Sequence, residues 1–172
     1  MSSCRLTSSV KQRNIYIPIL ILLVTIGTDQ YTKFLAGQLF ETYNEISLLN
    51  NLFKFSFVEN HGGFLGIVSN LPENIRFFLL NICVSLLLLG CLIYLFYSHK
   101  RTARYDIPLV FVVGGGMSNL LDRLLHDGGV TDFLSIWIDN FRTGIFNLAD
   151  VYILIGSFVI GYYLLSSSAK SA

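Results

Sequence analysis

The stretch Ile107-Pro108-Leu109-Val110-Phe111-Val112-Val113-Gly114-Gly115-Gly116-Met117-Ser118-Asn119-Leu120-Leu121-Asp122-Arg123-Leu124-Leu125 decides how this chain folds. Its first eleven positions carry no ionisable side chain, and the whole run is about as long as a helix needs to cross a bilayer core, roughly 20 residues. Polar groups then crowd its far end. An amide and a carboxylate three residues apart share a helix face, so Asn119 and Asp122 converge on one neighbour. The same Asn-x-x-Asp pattern returns at Asn147-Leu148-Ala149-Asp150, where another apolar run begins. Ionisable groups at such margins are costly and call for a partner or a function.

Composition agrees with a membrane setting. The 172 residues are 53% hydrophobic and 13% charged, with 14 Phe and 9 Tyr, well beyond an ordinary soluble domain. A net charge of +1 provides no basic field for nucleic acid. Four apolar segments predict an all-α membrane core of four transmembrane helices in one domain spanning 1–172: about 15–36, 75–97, 107–125 and 148–165. Cys4, Cys83 and Cys91 form no disulfide or metal pattern; Cys4 falls in the polar N-terminal tail, and Cys83 and Cys91 read as small apolar residues. Arg5, Lys11 and Arg13 before Ile15 also suit a signal peptide, but no A-x-A-like site follows, so the first helix is expected to be retained.

Cation placement gives an orientation. Arg5, Lys11, Arg13, Lys100, Arg101, Arg104 and Lys170 fall on one side, against Lys54 and Arg142 on the other, which predicts both termini and the 97–107 loop in the cytoplasm. Two outer segments remain, about 38–74 and 126–147. In the first, Ile46-Ser47-Leu48-Leu49 and the alternating Phe53-Lys54-Phe55-Ser56-Phe57, joined by Asn50-Asn51, predict a small extracytoplasmic β-sheet. In the second, Gly128-Gly129 and Gly144 break helix and Trp137 suits an interface, which predicts an outer loop or short helix.

This topology sets Asp122 and Asp150 at the same membrane face. Asn147 with Asp150 also reads as an N-cap with an acidic third residue, satisfying the free donors of a helix start. Asn119 and Asp122 end their helix, where the dipole disfavours a negative charge, and capping does not explain them. Two carboxylates ~4 Å apart at an effective dielectric near 20 repel by roughly 4 kcal/mol, enough to hold one proton between them near neutral pH. One can then act as base on water while the other donates a proton, which is aspartic peptidase chemistry. A Ser118–Lys33 dyad is a rival, but it needs an unpaired neutral lysine.

Five blocks in order resemble lipoprotein signal peptidase, the signal peptidase II family: Asp29-Gln30-Tyr31-Thr32-Lys33, Asn60-His61-Gly62, Gly115 to Arg123, Val130-Thr131-Asp132-Phe133, and Phe146-Asn147-Leu148-Ala149-Asp150. The resemblance implies a multi-pass aspartic endopeptidase of the bacterial inner membrane, acting at the extracytoplasmic face. Its substrate would be a diacylglyceryl-modified prolipoprotein, cut immediately before the lipidated cysteine. The implied catalytic pair is Asp122 and Asp150. Asn119, Arg123 and Asn147 would orient that pair or the substrate, Asn60 and Gly62 would line the site, and Asp29, Lys33 and Asp132 would support it. Asp29 with Lys33 also reads as a plain i, i+4 ion pair at a helix end, and Asp132 as a loop-turn residue. No metal or cofactor is called for, the partners are substrate and membrane lipid, and a monomer is expected.

The match has departures. Ser118 stands where the family has glycine, Thr131 where an aliphatic is common, and Phe64 comes one place early after Gly62, which touches the pocket walls rather than the acids. A proton-coupled carrier using Asp29, Asp122 and Asp150 is the competing class, but the acids cluster at one face and no internal repeat accompanies them. A non-catalytic four-helix assembly factor would leave the carboxylate pair without a use.

Overall fold

The computed structural model describes residues 15–40, 45–63, 68–98 and 102–168. Four helices are long and apolar enough to span a bilayer: α1 (Tyr16–Phe40), α2 (Glu73–Tyr97), α3 (Ala103–Leu125) and α4 (Leu148–Ser168). Pro18 is tolerated because it falls in the first turn of α1, where backbone N–H groups have no helical acceptor anyway. Leu23, Leu87 and Phe158 project outward from three of the helices as lipid-facing side chains. The helices meet around Leu22, Leu88, Leu95, Val110 and Val113.

Helix α3 is the hub, and its three consecutive glycines explain why. A Cβ on Gly114 would strike the Thr25 hydroxyl of α1, one on Gly115 the Ala149 carbonyl of α4, and one on Gly116 would lie 2.7 Å from Leu88 of α2. Each glycine thus admits a different neighbour to the α3 backbone. Because the Ala149 contact is in the first turn of α4, this packing delivers Asp150 to the α3 surface that bears Asn119.

The remaining chain forms one antiparallel sheet, β1 (Ile46–Leu48), β2 (Phe53–Asn60), β3 (Val130–Ile138) and β4 (Phe141–Arg142), in that spatial order. The expected β1–β2 hairpin is present, with Leu49, Asn50 and Asn51 at φ 52°, 54° and 66° in its turn. Lys54 faces Ser135 and Val58 faces Asp132 across the β2–β3 ladder, with a register shift between Phe55 and Val58.

Two expectations are corrected by the structure. Between α3 and α4 the chain is largely strand rather than loop or short helix. Helix α1 continues to Phe40, so Asp29 and Lys33 lie within it and not at its end. Within α2, Phe78–Cys83 is a π-helical insertion, where the buried Asn81 amide donates to the Phe77 carbonyl at 3.2 Å. Arg5, Lys11, Arg13, Lys100, Arg101 and Lys170, which carry the orientation argument, and Phe64 with its neighbours, lie outside the described residues.

Candidate active site

The polar face of α1 around Asp29 and Lys33, the end of α3, the start of α4 and the start of β3 close on one buried cluster. Helix α3 ends through a left-handed Asp127 (φ 46°) and a bond from Gly128 N–H to the Arg123 carbonyl at 2.9 Å, reversing the chain into β3. Four carboxyls gather there: Asp29, Asp122 and Asp132 are at most 1% exposed, and Asp150 is 7% exposed. Buried charges persist only when paired or hydrogen-bonded, so the partner of each oxygen decides what each can do.

Lys33 supplies one cation. Its Nζ lies 2.7 Å from Asp29 Oδ2, 2.8 Å from Asp122 Oδ2 and 3.0 Å from Asn119 Oδ1, which uses all three ammonium protons. Asp29 also accepts the Ser118 hydroxyl at 2.8 Å and the Ala149 N–H at 2.7 Å, so a side chain of α1 caps the first turn of α4. With Ser118 donating to Asp29 and Lys33 ion-paired, the serine–lysine alternative lacks its neutral lysine.

The two Asn-x-x-Asp motifs differ in construction. Asn147 and Asp150 form a reciprocal capping box: Asn147 Oδ1 accepts the Asp150 N–H at 2.9 Å, and Asp150 Oδ2 accepts the Asn147 N–H at 3.3 Å. The Asn147 amide remains free to donate to Asp132 Oδ1 at 2.7 Å and Asn119 Oδ1 at 3.0 Å. Asn119 in turn donates to Asp150 Oδ1 at 2.9 Å. Capping and site-building are therefore the same contacts.

Asp122 and Asp150 join one network, but through Lys33 and Asn119. Asp122 accepts from Lys33, from Gln30 Nε2 at 2.6 Å and from the Thr131 N–H at 3.0 Å. A cation and two further donors thus occupy both of its oxygens. Asp132 is placed differently. Its side-chain donors among the described residues are two neutral amides, Asn147 and Asn60 Nδ2 at 2.8 Å. Burial pushes its carboxyl up to about 7, with the nearby Asp150 charge adding to the rise and the Asn60 and Asn147 bonds and Lys33 opposing it.

Asn60 is fixed in turn by donating to the Gly63 carbonyl and accepting the Gly62 N–H, both at 2.8 Å, and Gly62 enters only through that bond. Arg123 is 9% exposed, lies within the fields of Asp122, Asp132 and Asp150, and keeps a buried Nε with no partner among the described residues. Gln30 and the Thr131 backbone were missed by sequence reasoning. Gln30 had a readable signal, since it lies three residues before Lys33 and so on the same helix face. A backbone donor leaves none.

A polar cluster at one end of four apolar helices, roofed by a sheet, defines a multi-pass membrane protein built around a buried acid–amide site. Residues 21–166 match the family model described as signal peptidase (SPase) II. The lipoprotein signal peptidase of Brevibacillus brevis is 35% identical, covering 80% of this chain and 87% of its own length. That of Clostridium novyi is 31% identical, over 86% and 96%. A solved structure described as a bacterial membrane enzyme, determined by the in meso method, shares the fold with a TM-score of 0.79 at 22% identity, over 92% of this chain and 93% of its own. The chain belongs to the signal peptidase II family, and is thus a membrane peptidase.

Proposed function

We propose that this protein removes the signal peptide from diacylglyceryl-modified prolipoproteins, cutting before the lipidated cysteine, with Asp132 and Asp150 as the catalytic pair. The observation that carries this reading is Asn147, whose side chain grips Asp132 and whose cap fixes Asp150. Asp122, the partner expected from the sequence pattern, is ion-paired to Lys33 and suits a supporting role better.

Four carboxyls and two cations, Lys33 and Arg123, share this pocket, so full ionisation would leave an uncompensated negative charge in a desolvated site. One proton shared between Asp132 and Asp150 relieves that excess. The ionised member takes a proton from water as it attacks the scissile carbonyl, while the protonated member gives its proton to the carbonyl oxygen. On collapse the first member passes the proton from water to the leaving amine, and the second recovers its own from the diol hydroxyl as the carbonyl re-forms. Asn119 keeps Asp150 aimed by donating to its Oδ1. A lipid-anchored cysteine is held at the membrane surface, so a pair located there meets the scissile bond with little orientational search.

The test is reconstitution with a diacylglyceryl-modified prolipoprotein. Asp132→Asn and Asp150→Asn should each lower cleavage by about 10³-fold, within the range for general acid–base groups, with thermal unfolding retained. Asp122→Asn should reduce both stability and turnover without abolishing cleavage. A dead Asp122→Asn beside an active Asp132→Asn would restore Asp122 with Asp150 as the pair.

A further inference from the structure

Asp122 is bonded to the strand that carries Asp132. Its Oδ2 accepts the N–H of Thr131, the residue immediately before Asp132, so the last turn of α3 grips the first residues of β3 across the 126–129 turn. Its other oxygen, Oδ1, accepts from Gln30 Nε2 at 2.6 Å. Gln30 is itself held on α3 by the Ser118 hydroxyl at 3.1 Å and the Ser118 carbonyl at 3.3 Å.

We infer that Gln30 is a positioning residue for the reaction, fixing the rotation of the Asp122 carboxylate and, through the Thr131 amide, the direction in which Asp132 points. The inference rests on the reading that makes Asp132 half of the catalytic pair. A carboxylate held at one oxygen pivots easily, because its terminal torsion is broad. A short donor on the second oxygen removes that freedom. Displacements near 1 Å at reacting groups cost about 10²-fold in rate, so a pivot transmitted through the residue next to Asp132 is kinetically visible. Gln30 also lines a cavity of about 460 Å³ with Phe34, Gly37, Phe57 and His126, and a replacement there does not overfill a packed core.

The experiment compares Gln30→Leu and Gln30→Glu with the wild type in detergent and in vesicles, beside Asp132→Asn. Gln30→Leu should lower kcat about tenfold with KM changed less than twofold, and speed hydrogen–deuterium exchange in the peptide spanning Thr131 to Phe133 several-fold. Gln30→Glu should recover turnover on the acid side, where its protonated carboxyl donates to Asp122, and lose it on the alkaline side, where the two anions repel. Wild-type kcat in Gln30→Leu, unchanged exchange at Thr131, or a Glu-to-Leu rate ratio independent of pH each overturns the inference. If Asp132→Asn is inactive while Gln30→Leu is normal, only the positioning role falls; an active Asp132→Asn removes the catalytic reading itself.

Discussion

Among single residues, Lys33 and Asp132 show how one buried cluster uses opposite strategies. Lys33 satisfies three acceptors and bridges Asp29 and Asp122 on two helices. Lys33→Met keeps the stem and deletes the charge, leaving two buried carboxylates unpaired, so the unfolding free energy should fall by ~3–5 kcal/mol. Denaturation in detergent measures it, and an unchanged midpoint would refute the pairing. Asp132 instead holds its proton to about 7, above its ordinary 3.8. Between those pH values the native state binds more protons than the unfolded chain, so Asp132 makes stability fall as pH rises from about 4 to 7. Asp132→Asn should flatten that slope in melts taken across the window. Turnover of the wild type should decline above about pH 7, where the proposed pair loses its shared proton.

The elements show what a sequence displays and what it hides. All four spans were readable from apolar length, and the β1–β2 hairpin from alternation around Asn50-Asn51. Strand β3 was not, because Val130, Thr131 and Asp132 are buried together at the site and two of them are polar, which erases the alternation of a half-exposed strand. The Asn-x-x-Asp pairs were legible as converging faces. Which carboxyl meets which donor was not, since the choice between Asp122 and Asp132 depends on Lys33 and Gln30 arriving from α1. Helix packing yields a sharper prediction. Gly115→Ala pushes a methyl into the Ala149 carbonyl and displaces the turn bearing Asp150, so turnover should drop by about 10²-fold. Gly90→Ala, which meets nothing within 4 Å, should lose neither activity nor melting temperature. Equal activity in the two variants would show that the α3–α4 contact does not set the site.

The whole molecule is polarised: the sheet and the four carboxyls lie at one end of the helix bundle, and Thr102, at the start of α3, lies at the other. Which end faces the cytoplasm follows from charge, because Lys and Arg accumulate in cytoplasmic segments. Lys54 and Arg142 are on the sheet, whereas Arg104 lies at the opposite end, and Lys100 and Arg101 precede it in the sequence. The proposed orientation, with both termini inside, would put the site on the extracytoplasmic side, where a translocated prolipoprotein would present its lipidated cysteine. Single cysteines test this once Cys4, Cys83 and Cys91 are replaced. In intact spheroplasts a membrane-impermeant maleimide should label Ser47→Cys on β1, and should label Thr102→Cys only after permeabilisation. Both positions are exposed, so differences in labelling report sidedness rather than burial. The reverse pattern would place the carboxyl cluster at the cytoplasmic face and remove the topological basis for its proposed substrate, even if the purified protein still cleaved in detergent.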